Sequence, residues 1–173
     1  MHFTRSVVMT CLLSLFGLQA MADSLPQPSG PVILTLEGAL SNTNGKGVNG
    51  KGVARFDRDM LEDLSWHRTR TDTPWTEGMI DFEGPLGRQV LDLVGAKGET
   101  LIVTALNDYS AEVPLADFYT YDVILALKMD GHYIRIRDKG PIFIIYPFAD
   151  FPALQTEVIH NRSVWQLKSI RVK

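Results

Sequence analysis

Thr100-Leu-Ile-Val-Thr-Ala-Leu-Asn-Asp-Tyr-Ser-Ala-Glu-Val113 opens as an apolar, β-branched run, breaks at a polar pair and resumes. Thr100 to Leu106 predicts a buried strand, and Tyr109 to Val113 pairs with it or continues it. Toward the C-terminus, Pro114 starts a short helical turn ending near Tyr121. Val123 to Met129 and His132 to Arg137 predict a hairpin over Asp130-Gly131, a strong two-residue turn signal. Phe143 to Tyr146 is a further strand before Pro147, Phe148 to Arg162 reads as irregular, and Ser163 to Val172 as the closing strand. Toward the N-terminus, Gly84-Pro85 opens a helix running through Val94, with Leu86, Val90, Leu91 and Val94 at helical spacing and Gly95 as its stop. Met79 to Phe82 and Trp66 to Thr71 have strand character around a turn at Thr73-Pro74-Trp75. Asp57 is placed as the N-cap of a helix from Arg58 to Leu64. Val53 to Phe56 and Val32 to Leu36 complete the strands, separated by a Gly/Asn-rich exposed loop from Leu40 to Gly52. Asp23 to Pro31 is an extended lead-in. The sum is a strand-dominated α+β domain with a few short helices, one domain over residues 23–173.

The 173 residues are 45% hydrophobic and 21% charged, with a formal net charge of −3. That supports one packed core and supplies no basic field for nucleic acid. Arg5, the apolar run Val7 to Leu18 and Ala20-Met21-Ala22 form a secretory signal predicted to be cleaved after Ala22. The run is too short to span a bilayer at about 20 residues. No other window is apolar enough to cross a membrane, so the expected location is the periplasm. The only cysteine, Cys11, lies inside the signal. The mature chain is therefore expected to lack disulfides, thiol nucleophiles and thiolate metal ligands.

No catalytic engine is visible. His67, His132 and His160 are far apart and fit no metal-binding spacing. Gly45-Lys46-Gly47 lacks the spacing of a phosphate-binding loop, and no nucleophile–base motif is present. Paired carboxylates such as Asp57/Asp59 and Glu62/Asp63 read as solvated helix charge. Three polar segments stand out: Arg68 to Trp75, Ala105 to Tyr109, and Arg135 to Pro141 leading to Ile145-Tyr146-Pro147. Each has a plain structural explanation as a turn, a core indole or a solvated corner. Together they supply stacking faces, an amide or carboxylate and several cations, which is what a flat heterocycle with a polar edge needs.

Thr71-Asp-Thr-Pro-Trp75, Phe82-Glu-Gly-Pro-Leu86, Ala105-Leu-Asn-Asp-Tyr109, Val113-Pro114, Ile124-Leu-Ala126, Met129-Asp-Gly131, Arg137-Asp-Lys-Gly-Pro141, Ile145-Tyr-Pro147 and Trp165-Gln-Leu167 follow in order. The series resembles small exported pterin-binding proteins related to the molybdopterin-binding domain of the sulfite-oxidase family. The resemblance runs from Val32 to Lys173 and implies that fold. It also implies a cysteine thiolate on molybdenum a few residues before Thr71, where this chain offers Thr69, Thr71 and Thr73. A threonine hydroxyl cannot replace a soft thiolate at a metal.

The resemblance thus implies a pterin-binding protein without molybdenum, with no catalytic and no metal-ligating residue. A pterin ring would stack near Trp75 or Tyr109, with Asn107 and Asp108 at its amino–amide edge. Arg70, Arg137 and Lys139 would hold side-chain oxygens or a phosphate, with Thr71, Thr73 and Tyr146 also lining the site. Some relatives of this type act with membrane signalling enzymes that make or degrade cyclic di-GMP, which implies a sensor that regulates such a partner. The alternatives are a molybdopterin-dependent oxidoreductase of the sulfite-oxidase type and an interaction module without a ligand.

Overall fold

The computed structural model describes residues 25–173; the predicted signal segment lies outside them. The chain forms β1 (Leu34–Gly38), β2 (Gly45–Lys46), β3 (Gly52–Phe56), α1 (Arg58–Glu62), β4 (Trp66–Thr71), β5 (Ile80–Pro85) and α2 (Gly87–Leu93). It continues through β6 (Thr100–Ala105), β7 (Ser110–Pro114), α3 (Asp117–Thr120), β8 (Ile124–Ala126), β9 (Lys128–Met129) and β10 (His132–Tyr133). β11 (Phe143–Ile145), α4 (Glu157–Arg162) and β12 (Leu167–Val172) complete it, with single 3-10 turns at Ile136–Asp138 and Pro152–Leu154. Strands dominate and the helices are short, as the sequence predicts.

A six-stranded sheet has the order β2-β3-β1-β12-β6-β7, and a four-stranded sheet the order β10-β9-β5-β4. β8 and β11 pair with each other between them. β1 and β12 run parallel, with Leu36 opposite Ile170. β6 and β7 are an antiparallel pair, so Tyr109 marks the turn between them rather than a continuation. β6 alternates strictly: Leu101, Val103 and Ala105 are buried while Thr100, Ile102 and Thr104 are half-buried. The six-stranded sheet therefore buries one face, and β6 is less enclosed than its apolar run suggests. Under that face lies the main core, including Leu36, Phe56, Leu101, Phe118, Ile144 and Tyr146. A second cluster, Phe82, Ile124, Ala126, Ile134, Phe143 and Ile145, packs with Trp75, Met129 and Trp165 beneath the four-stranded sheet.

Asp57 caps α1 as its position predicts, accepting from the Met60 N–H at 2.9 Å. The same carboxylate takes the Ser29 and Gly30 N–H groups at 2.6 and 2.7 Å, which fastens the lead-in. Five expectations change. The Asp130-Gly131 turn is present, with φ of 48° and 75°, but its hairpin arms are only two residues each. Val123 to Leu127 is wholly buried, so β8 serves β11 and the chain changes sheets at Leu127. The segment from Phe148 to Arg162 contains α4, opened by the Thr156 side chain accepting from Ile159 N–H. In the Leu40–Gly52 loop Asn44 is buried, bonding Pro26 and both the N–H and C=O of Arg55. The closing strand begins only at Leu167, because Gln166 takes a φ of 52° and breaks the ladder.

Candidate functional site

Trp75 stands where the polar segments meet. Thr73 and Thr76 fix the turn that carries it: their hydroxyls bond at 2.8 Å, and Thr73 Oγ1 accepts the Trp75 N–H at 3.3 Å. The indole packs edge-on against Trp165 at 5.2 Å and His160 at 5.9 Å, and is tilted against Phe143 at 5.8 Å. Such contacts fix ring orientation as well as burying area.

Two cavities open on either side of this indole. The narrow one, of about 230 Å³, is lined by Trp75, Asn107, Tyr109, His160, Asn161, Ser163 and Trp165. Tyr109 is fixed across it, its hydroxyl donating to the Asn161 carbonyl at 3.1 Å. The wide one, a trough of about 1030 Å³, runs from Trp75, Ile80 and Met129 to Tyr133, Arg135, Arg137 and Lys139. Its cations outnumber its carboxylates, Glu77 and Asp138, and Asp138 is held by Arg135 at 2.6 Å. A stacking slot beside a cationic trough suits a flat heterocycle with an oxygen-rich or anionic substituent.

The predicted residues divide into three groups. Trp75, Asn107 and Tyr109 line the slot, while Arg137 and Lys139 line the trough. Thr71 and Thr73 lie beneath as supports. Thr71 is fully buried, and its hydroxyl accepts the Ala149 N–H at 3.0 Å. Asp108, Arg70 and Tyr146 do not join them. Asp108 takes φ of 67° in the β6–β7 turn and its carboxylate pairs with Lys168 outside both cavities. Arg70 projects to solvent from β4 and faces Asp81 at 3.5 Å. Asp81 is held below the usual carboxylate range chiefly by its hydrogen bond from Arg68. Tyr146 is fully buried, its hydroxyl donating to Asp117 at 2.8 Å, and burial pushes its phenol far above the ordinary tyrosine range.

His160, Asn161, Ser163, Trp165, Tyr133 and Arg135 join the site although none was among the expected ligand-binding residues. α4 buries none of its residues, so no apolar stripe announced it; only Thr156-Glu157, a capping residue before an acidic first turn, was available as a signal.

Residues 58–149 match the family described as the oxidoreductase molybdopterin binding domain. Among solved structures, the sulfane dehydrogenase SoxCD from Paracoccus pantotrophus has a similar fold, with a TM-score of 0.56 and 15% identity. The match covers 80% of this chain and 37% of that one, so the chain spans well under half of that protein's length. No curated protein sequence matches.

The donor set does not fit a molybdenum ion held by a protein thiolate. Residues 25–173 contain no cysteine, and among the described residues no three His, Asp or Glu side chains gather. On β4 and the turn after it, Thr71 and Thr73 are committed to Ala149, Trp75 and Thr76. Thr69 is buried with its hydroxyl unpartnered, a hard, high-pKa oxygen rather than a soft anion. The slot and trough fit the organic, pterin part of such a group.

Proposed function

The chain belongs to the oxidoreductase molybdopterin binding domain family, and on that premise we propose an exported, non-catalytic protein that senses a reduced pterin and regulates a membrane signalling partner. The observation that carries the ligand is the single indole, Trp75, shared by an aromatic slot and a cationic trough. The ring enters the slot between Trp75, Tyr109 and His160, where Asn107 meets the amino–amide edge through Nδ2, its Oδ1 accepting the Tyr109 N–H at 3.1 Å. The substituent at the ring's side lies over Arg137, Lys139 and Arg135, where each solvent-screened, charge-assisted hydrogen bond contributes about 0.2–1 kcal/mol. The missing thiolate supports binding without oxygen-atom transfer. Export rests on the N-terminal apolar run and its small-residue cleavage site, and the signalling partner on the resemblance alone.

The test is to purify the protein from the periplasm, denature it, and analyse released small molecules by fluorescence and mass spectrometry beside a molybdenum assay. A near-stoichiometric pterin without metal is the expected result. Stoichiometric molybdenum returns the oxidoreductase reading. An empty protein that also ignores added reduced pterins leaves an interaction module.

A further inference from the structure

α4 forms one wall of the slot, yet none of its residues is buried. Polar ties hold it. Ahead of the helix, Gln155 Oε1 accepts a hydrogen bond from His160 Nε2 at 3.1 Å. At its C-terminal end, Arg162 Nη1 donates to Asp117 Oδ2 at 3.0 Å, and the Tyr146 hydroxyl donates to the same oxygen at 2.8 Å. Asp117 belongs to α3 and Tyr146 to the chain leaving β11, so one carboxylate joins two parts of the core to α4. The Arg162 and Asp117 side chains are 23% and 14% exposed. At that depth a charge-assisted pair holds geometry far better than a surface pair, and losing one partner strands the other.

Immediately before Arg162 come the two residues that shape the slot. Asn161 offers the carbonyl that fixes Tyr109, and His160 stands edge-on to both Trp75 and Phe148, at 5.9 and 5.4 Å. We propose that Asp117, with Tyr146 and Arg162, is the positioning latch of the binding slot: it touches no ligand and sets the place of His160 and Asn161. This rests on the pterin reading for its ligand but not for its geometry. It also gives Tyr146, expected at the ligand, a role one step behind it.

The experiment pairs a ligand-free readout with a binding readout. Asp117→Asn, Arg162→Met, the double variant and a core control, Val94→Ala, are compared with wild type. Val94 is fully buried in the main core and lines neither cavity. In the free protein, the NMR ring resonances of His160 report its ring-current contact with Trp75 and Phe148. Both latch variants are expected to move them toward solvent-exposed values while His67 and His132 stay in place, and Val94→Ala is expected to lower only the melting temperature. Titration with oxidised and fully reduced neopterin should show affinity lower by about tenfold in either latch variant, mainly through faster dissociation. The double variant should be no weaker than the singles, because one interaction is being removed. His160 resonances unchanged in Asp117→Asn overturn the latch. So does a wild-type protein that binds neopterin while the latch variants bind it within twofold. Shifted resonances in a protein that binds no pterin uphold the latch and reject the pterin reading.

Discussion

At the scale of single residues, Trp75 and Asp108 make opposite cases. Trp75 is the wall common to both cavities and touches three other rings. Trp75→Ala merges slot and trough and removes the stacking surface, which is the behaviour of a binding hot spot. Pterin affinity should fall about thirtyfold, equivalent to roughly 2 kcal/mol, by fluorescence titration. Retained affinity would move the ring elsewhere. Asp108 looks in the sequence like the carboxylate for a pterin's amino edge, but its side chain is 84% exposed and paired with Lys168. Asp108→Ala should leave affinity within twofold, and a tenfold loss measured in the same titration would put it back in the site. The difference was not legible in the sequence. Asn107-Asp108 satisfies a turn and a ligand edge equally well, and only the backbone twist at Asp108, φ 67°, decides where its carboxylate points.

At the scale of elements, legibility followed packing. β4 and α1 could be read because their signals are local: Trp66–Thr71 is a strand-prone run, and Asp57 is a capping residue before a helical one. α4 could not, since none of its residues is buried. Of the β9–β10 hairpin the Asp130-Gly131 turn was legible but not the shortness of its arms, because residues 123–127 before it are buried in the core, where β8 pairs with β11 instead. Polar ties, which carry no periodicity, define both the end of α4 and the lead-in. Asp57 gives a pH test of that principle. Hydrogen bonds from Met60, Gly30 and Ser29 N–H groups hold its carboxyl below the ordinary carboxylate range, with burial opposing them. A folded-state pKa below the unfolded value, about 3.9, means that the stabilisation is complete above that value. It is lost as pH falls through the lower, folded pKa. Asp57→Asn turns one of the two accepting oxygens into a donor amide and should therefore cost about 1–3 kcal/mol at neutral pH and flatten the acid limb of a urea-denaturation profile. A variant whose stability falls with acid as steeply as wild type would remove Asp57 as the titrating cap.

At the scale of the whole molecule, the two ends of the described chain meet in the centre of the six-stranded sheet. β12 lies between β1, its parallel neighbour some 134 residues earlier in sequence, and β6. Folding is therefore complete only when the last strand closes, a non-local step of the kind that slows β-rich domains. The same strand is tied to the trough. Gln166 N–H donates to the Lys139 carbonyl at 2.9 Å, its side-chain amide donates to the Ile136 carbonyl at 2.7 Å, and Leu167 N–H donates to Ile142 at 3.0 Å. The trough's cationic wall thus exists only when β12 is in place, so a ligand there binds the native state and not the unfolded chain. Ile170, 2% exposed and opposite both Leu36 and Val103, is the natural probe. Ile170→Ala should cost about 2–5 kcal/mol, a large share of a marginal total. The ligand that fills slot and trough restores about 2.7 kcal/mol at a hundredfold excess over its Kd. Thermal unfolding of Ile170→Ala with and without reduced neopterin should therefore show a rise of several degrees, matched by a similar rise in wild type. A melting temperature that ignores neopterin in both proteins would mean that the trough does not take this ligand. A rise in wild type alone would mean that β12 shapes the trough beyond closing the sheet.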